Sequence, residues 1–165
     1  MTSKARFVLA LVGVALLALA GIWATQGSPA PRVGSANLQG QTIDTQTLIG
    51  KPYLVNFWAT SCVTCVREMP DIVALHKEFE SRGFRTIAVA MHYDKPEFLS
   101  RFVEDRALPF WVIHDTDGRW AQAWGDVSVT PTTFVIDSSG QIHKRYVGVP
   151  DFDGLRRWLS EELPG

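Results

Sequence analysis

Cysteine is nearly absent from this chain, two in 165 residues, and that scarcity excludes a stabilising disulfide framework. The two, Cys62 and Cys65, form a C-x-x-C, and a bond between them closes a loop too short to stabilise a fold much. Structural zinc requires four ligands, yet there is no second C-x-x-C, and His76, His92, His114 and His143 lack the spacing of a metal pair. No metal or other cofactor is expected. An excess of one charge is also missing: 16 Lys and Arg face 17 Asp and Glu, with neither a basic run for nucleic acid nor an acidic tail. No repeat of fixed period and no low-complexity tract beyond a short Gly, Ser and Pro patch occurs. The length suits one domain behind a leader, and a monomer is expected.

One long hydrophobic run is present. Phe7 to Ala24 carries no charged side chain and as a helix spans roughly 27 Å, close to the roughly 30 Å of a bilayer core. Lys4 and Arg6 before it keep the first residues cytoplasmic and send the rest across. The run continues through Ile22 and Trp23, which favours an uncleaved membrane anchor over 1–24. The alternative is signal cleavage after Ala18-Leu-Ala20, giving a soluble exported protein. Either outcome places the cysteines in an oxidising compartment, where thiol chemistry has substrates. Residues 25–34, rich in Gly, Ser and Pro, read as a linker, and 35–165 as the domain.

Tyr53 to Trp58 is β-branched and aromatic, the pattern of a buried strand. After the cysteines, Val66, Met69, Ile72, Val73, Leu75, His76 and Phe79 recur at helical spacing and predict a helix from Cys62 to about Arg82, kinked by Pro70 and ended by Gly83. The thiol pair therefore sits where a strand meets a helix. In an open α/β sheet substrates approach that junction, and the unpaired N–H groups of a helix start favour thiolate over thiol. This assigns Cys62 as the exposed nucleophile and Cys65 as the resolving thiol.

Around this junction, 33–38 and 42–43 read as a small hairpin, with Asp44 capping a short turn through Leu48. Downstream, strands are expected over Phe84–Met91, Phe110–His114 and Gln141–Val147, and after Pro131 through Asp137. Helices are expected over Pro96–Arg106, with Phe98, Leu99, Phe102 and Val103 inward, over Arg119–Trp124 and over Asp151–Leu163.

The string Leu54-Val-Asn-Phe-Trp-Ala-Thr-Ser-Cys-Val-Thr-Cys-Val-Arg-Glu-Met-Pro70 resembles the active-site region of the thioredoxin superfamily, specifically of membrane-anchored TlpA/ResA-like disulfide reductases. The acid three positions after the second cysteine and the proline five after it carry the likeness, which covers roughly residues 30 to 163. It implies an α/β thioredoxin-like fold: a central mixed sheet flanked by helices, with an N-terminal hairpin and a central insertion around Lys95 to His114. It also implies that Pro131 is cis and faces the cysteines, and that the backbone of Thr130 pairs with a bound substrate chain like an added strand. Glu68 shares a helix face with Cys65, and burial there would raise its pKa. The resemblance gives it the role of passing protons as the thiols exchange. Asn56 stands where thioredoxin itself has a buried acid and cannot titrate, so the burden falls on Glu68. Trp58 is expected beside the site, against substrate, although an aromatic at a strand end is more often simply core. Ser61 departs from the Trp that relatives carry before the first cysteine, which bears on the partner surface and not on the chemistry.

The function so implied is a thiol-disulfide oxidoreductase on the outer side of a bacterial cytoplasmic membrane. It would reduce disulfides in exported proteins, with cytochrome c maturation as the pathway the resemblance suggests, and a membrane thiol donor would recharge it. A disulfide-forming oxidase uses the same residues at another potential. A redoxin-type peroxidase is disfavoured, because Ala59 and Cys62 stand where its T-x-x-C pattern needs Thr. A metal carrier or noncatalytic binding module is the reading from a different class.

Overall fold

The computed structural model describes residues 27–163; the expected anchor over 1–24 lies outside the described residues. The first paired elements are β1 (Gly34–Ala36) and β2 (Thr42–Asp44), antiparallel as expected. Asp44 then accepts from the Gln46 N–H at 2.8 Å and caps a 3₁₀ turn over Thr45–Leu48.

All six residues of β3 (Tyr53–Trp58) are buried, which a strand can sustain only where both faces of its sheet are covered. β4 (Arg85–Ala90) pairs with it in parallel, and β5 (Trp111–His114) pairs in parallel with β4. On the other side β6 (Thr132–Ile136) is antiparallel to β3, and β7 (Ile142–Val147) antiparallel to β6. The strand order is β5-β4-β3-β6-β7, a mixed sheet. β5, which the resemblance assigned to an insertion, forms one edge. The chain after β1 covers part of that edge, since the Leu38 N–H bonds the Val112 carbonyl.

Alternation along β3 sorts its side chains onto two faces. Tyr53, Val55 and Phe57 pack with Trp120 and Trp124, from α3 (Arg119–Ala123) and just after it. Leu54 and Trp58 face α1 (Val63–Phe79), with α2 (Pro96–Arg106) and α4 (Phe152–Glu162) completing that layer. Asn56 lies between them and so shares the α1 face.

The helix starts one residue later than the spacing predicts, because Cys62 is its N-cap, and a 3₁₀ turn over Glu80–Arg82 follows before Gly83 at φ 109°. Two expectations are corrected. Residues 25–34 do not form a free tether over their described part: the Ile142 N–H bonds Ser28, the Ala30 N–H bonds Gly140, and Pro29 bridges Gln141. Buried Thr45 ties the same strap down, donating to the Pro31 carbonyl at 2.8 Å and accepting from the Val33 N–H at 3.0 Å. Backbone groups satisfied at β7 outweigh the flexibility that a Gly, Ser and Pro composition suggested. Phe98 points outward, 55% exposed, because the buried face of α2 is centred on Leu99 and Val103, and Phe98 instead lies under the Lys95 ammonium, 5.5 Å from the ring centroid.

Candidate active site

Cys62 occupies the N-cap of α1 in an extended conformation, and its sulfur accepts the Cys65 N–H at 3.2 Å. A thiolate there would take up one of the helix's otherwise unpaired donors. The two sulfurs form a disulfide, with Cα atoms 5.2 Å apart. Cys65 is wholly buried while Cys62 is only partly so, and the neighbouring Val63 is 71% exposed. Cys62 is thus the more accessible of the two.

Phe57 is in register with Thr132, so the residues just before β6 lie at the carboxyl end of β3, beside the loop that enters α1. There the Thr130–Pro131 bond is cis. Pro131 is buried, and its carbonyl accepts the Gly148 N–H at 2.8 Å. Thr130 is half-buried, with its hydroxyl 3.5 Å from the Tyr93 hydroxyl. Tyr93 and His92 are exposed in the loop after β4, their rings edge to face at 5.3 Å. Next to them buried Asp94 takes the Thr60 N–H at 2.7 Å and the Thr60 hydroxyl, pinning the loop two residues before Cys62.

Glu68 is 2% exposed. One carboxyl oxygen, Oε1, accepts from Asn56 Nδ2 at 3.0 Å, while Oε2 is buried without a partner among the described residues. Burial pushes its pKa up from 4.5 to about 7; the Asn56 hydrogen bond opposes this and the Asp71 charge adds to it. The group is thus poised to change protonation near neutral pH, from a helix face that also carries Cys65. Asn56 Nδ2 donates in addition to the Thr133 hydroxyl at 2.9 Å, across the Asn56–Thr133 register pair.

Among the expected site residues, Cys62, Cys65 and Glu68 are placed on one helix, and Thr130 and Pro131 at the same end of the sheet. Trp58 is a correction. Its side chain is fully buried against Phe102, ring centroids 5.0 Å apart, so it packs under the site and offers a substrate no surface. Nothing in the local sequence marks Thr60, Tyr93, Asp94 and Thr133 as site residues. A Thr in the active-site loop and an Asp after a strand carry no distinctive local signal, and the Asn56–Thr133 pair depends on strand register.

Two cavities differ in their relation to this chemistry. One of about 400 Å³ is lined by Met91, His92, Tyr93 and Val127, at the active-site end. Another, of about 430 Å³, is lined by His76, Glu80, Arg85, Thr86 and Phe110. It opens at the start of β4, the opposite end of the sheet.

Residues 25–157 match the Redoxin family. The thiol-disulfide oxidoreductase ResA of Bacillus subtilis (strain 168) is 31% identical over 141 residues, covering 86% of this chain and 78% of that protein. ResA of Halalkalibacterium halodurans is 34% identical over 128 residues, 77% of this chain and 68% of that one. Among solved structures, a thiol:disulfide interchange protein of the thioredoxin family from Chlorobium tepidum TLS superposes with a TM-score of 0.76 at 28% identity, over 84% of this chain and 98% of that chain.

Proposed function

Because this chain belongs to the redoxin family, we propose that it is a thiol-disulfide oxidoreductase that reduces disulfides in exported proteins through Cys62 and Cys65. The observation that carries the reading is a half-buried cysteine capping a helix over a buried one, already joined to it as a disulfide. In the reduced protein the Cys62 thiolate attacks one sulfur of a substrate disulfide; the new S–S bond displaces the other substrate sulfur as thiolate. The Cys65 thiolate then attacks Cys62, releasing the second substrate thiol. Two electrons have passed to the substrate, and the protein is left oxidised for a membrane thiol donor to recharge.

Glu68 takes the proton that Cys65 gives up on becoming nucleophilic, the role its raised pKa supports. The main-chain groups of Thr130 hold the substrate segment beside Cys62. The apolar run before Ala24 anchors the chain in a cytoplasmic membrane with this domain on the outer side. Maturation of c-type cytochromes is the pathway we assign to it.

The test is to replace Cys65 with Ala, which leaves Cys62 unable to release a mixed disulfide. Partners should accumulate covalently on Cys62 in cells and vanish in Cys62→Ala. Trapping on neither would sink the assignment of nucleophile. A reduction potential near about −120 mV, that of a strong oxidant, would reverse the direction of electron flow.

A further inference from the structure

Ser28 to Ala30 bond to the stretch Gly140–Ile142, and Ile142, Ile136 and Tyr53 stand level in the sheet. The chain therefore joins the domain at the end of the sheet where β3 begins. Cys62 lies beyond Trp58 at the other end, and the steps from Tyr53 to Trp58 alone rise about 17 Å. Between the apolar run that closes at Ala24 and the strap that opens at Ser28 stand only residues 25–27. Fully extended, they let Ala24 and Ser28 separate by at most about 14 Å. So short a connection keeps the entry end of the domain close to whatever surface holds the run.

The side chains around that entry suit a bilayer. Ile49 is 57% exposed, and the Gly50 N–H beside it bonds the Ser138 carbonyl at 2.9 Å, fixing this turn against the hairpin that receives the strap. Arg32 and Lys51 are exposed as well, and neither pairs with a carboxylate among the described residues. Arg32 and Ile49 line one small cavity together with Pro29 and Ala30, so cation, apolar tip and strap form one surface. Carboxylates of the same turns are engaged with main chain: Asp44 accepts from the Gln46 N–H, Asp137 from those of Ser139 and Gln141, and Glu162 from that of Ser138.

We propose that this end of the domain rests on the outer surface of the membrane, with Ile49 set among the headgroups and Arg32 and Lys51 on the phosphates of anionic phospholipid. The inference rests on the reading of Phe7 to Ala24 as an uncleaved anchor. Cys62, with exposed Val63 and Tyr93, then faces away from the bilayer. Substrate disulfides are met on the side open to exported proteins, and the thiol donor must carry its thiols on a part that rises about 17 Å or more above the headgroups.

The test uses the full chain, oxidised, in nanodiscs of phosphatidylcholine and phosphatidylglycerol, a fraction of the lipids carrying gadolinium on the headgroup. Amide signals of Ala30, Arg32, Ile49, Lys51 and Gly140 should be lost first, and those of Cys62, Val63 and Tyr93 last. Uniform loss, or earliest loss at Val63 and Tyr93, overturns the proposal. Ile49→Asp, and separately Arg32→Glu with Lys51→Glu, should even out the profile, as should nanodiscs of phosphatidylcholine alone; an unaltered profile in all three removes these side chains from the contact. Shifts at Ile49 that grow with protein concentration, without loss to the gadolinium lipid, give the surface to a second copy of the chain and also overturn it. The intact mass of the chain recovered from carbonate-washed cell membranes separates the two failures. A cleaved chain removes the anchor and the contact with it, whereas an intact, retained chain with uniform signal loss sinks the contact alone.

Discussion

Glu68 is tolerated in the interior because at low pH it is an uncharged acid. The unfolded chain titrates at the ordinary value of 4.5, the folded one at about 7, so between these values the native state holds a proton that the unfolded state has released. Stability therefore falls as pH rises through this window, and levels off above it. A shift of this size corresponds to about 3 kcal/mol. Glu68→Gln, neutral at every pH, should remove the dependence: in urea unfolding of the oxidised protein, its stability relative to the parent should rise by up to about 3 kcal/mol between pH 5 and pH 8. A difference independent of pH would mean that Glu68 does not carry this proton. The same burial holds the His76 imidazole below its ordinary pKa. That group is common to both proteins and cancels in the difference.

At the scale of elements, the site is a helix start held between two loops. Cys62 caps α1, and the loop leading into it is held from outside at Thr60, by Asp94. Asp94→Ala leaves the half-buried Thr60 N–H and hydroxyl without their acceptor and should cost about 1–2 kcal/mol. It should also slow disulfide exchange, because Cys62 then samples poses out of reach of its partner. Parallel measurements of urea unfolding and of exchange with a peptide disulfide check this; full exchange activity in a destabilised variant would reduce the contact to structural support. Tyr93 and Thr130 are a looser link between the same loop and the cis-proline segment. Four exposed or half-buried residues, Cys62 and Val63 at the start of α1, Tyr93 after β4 and Thr130 before β6, thus share one end of the sheet.

Across the whole molecule, the same sheet serves the site and the chain's point of entry. β6 brings Pro131 and Thr133 beside β3, while β7, its neighbour, receives the strap over Ser28–Ala30. The domain is therefore coupled to the segment before it through backbone bonds and through Thr45. Thr45→Val removes two of the strap's contacts and should cost about 1–3 kcal/mol. Hydrogen exchange should show faster amides at Ala30, Val33 and Ile142, with those of β3 unchanged. Unchanged exchange at the strap would show that Thr45 does not hold it.

Much of the site was legible in local order. The helix start at Cys62, the turn capped by Asp44 and the strand of Tyr53–Trp58 follow from spacing and capping chemistry within a few residues, where the backbone's own geometry decides. Phe98 and Trp58 were placed less well. Neighbouring positions on an amphipathic helix differ only in which neighbour covers them, and a buried aromatic looks the same in sequence as one that touches a partner.

By itself, then, the sequence determined the chemistry: two thiols at a helix start, an acid one turn on, and a proline ahead of a strand. Tertiary structure alone decided what surrounds that acid. Asn56 and Thr133 are 77 residues apart in the chain and meet only because β3 and β6 pair in one register and α1 covers that face. A one-residue slip would turn Thr133 to the opposite side of the sheet, so the packing of both layers, and no local preference, sets the environment in which Glu68 titrates.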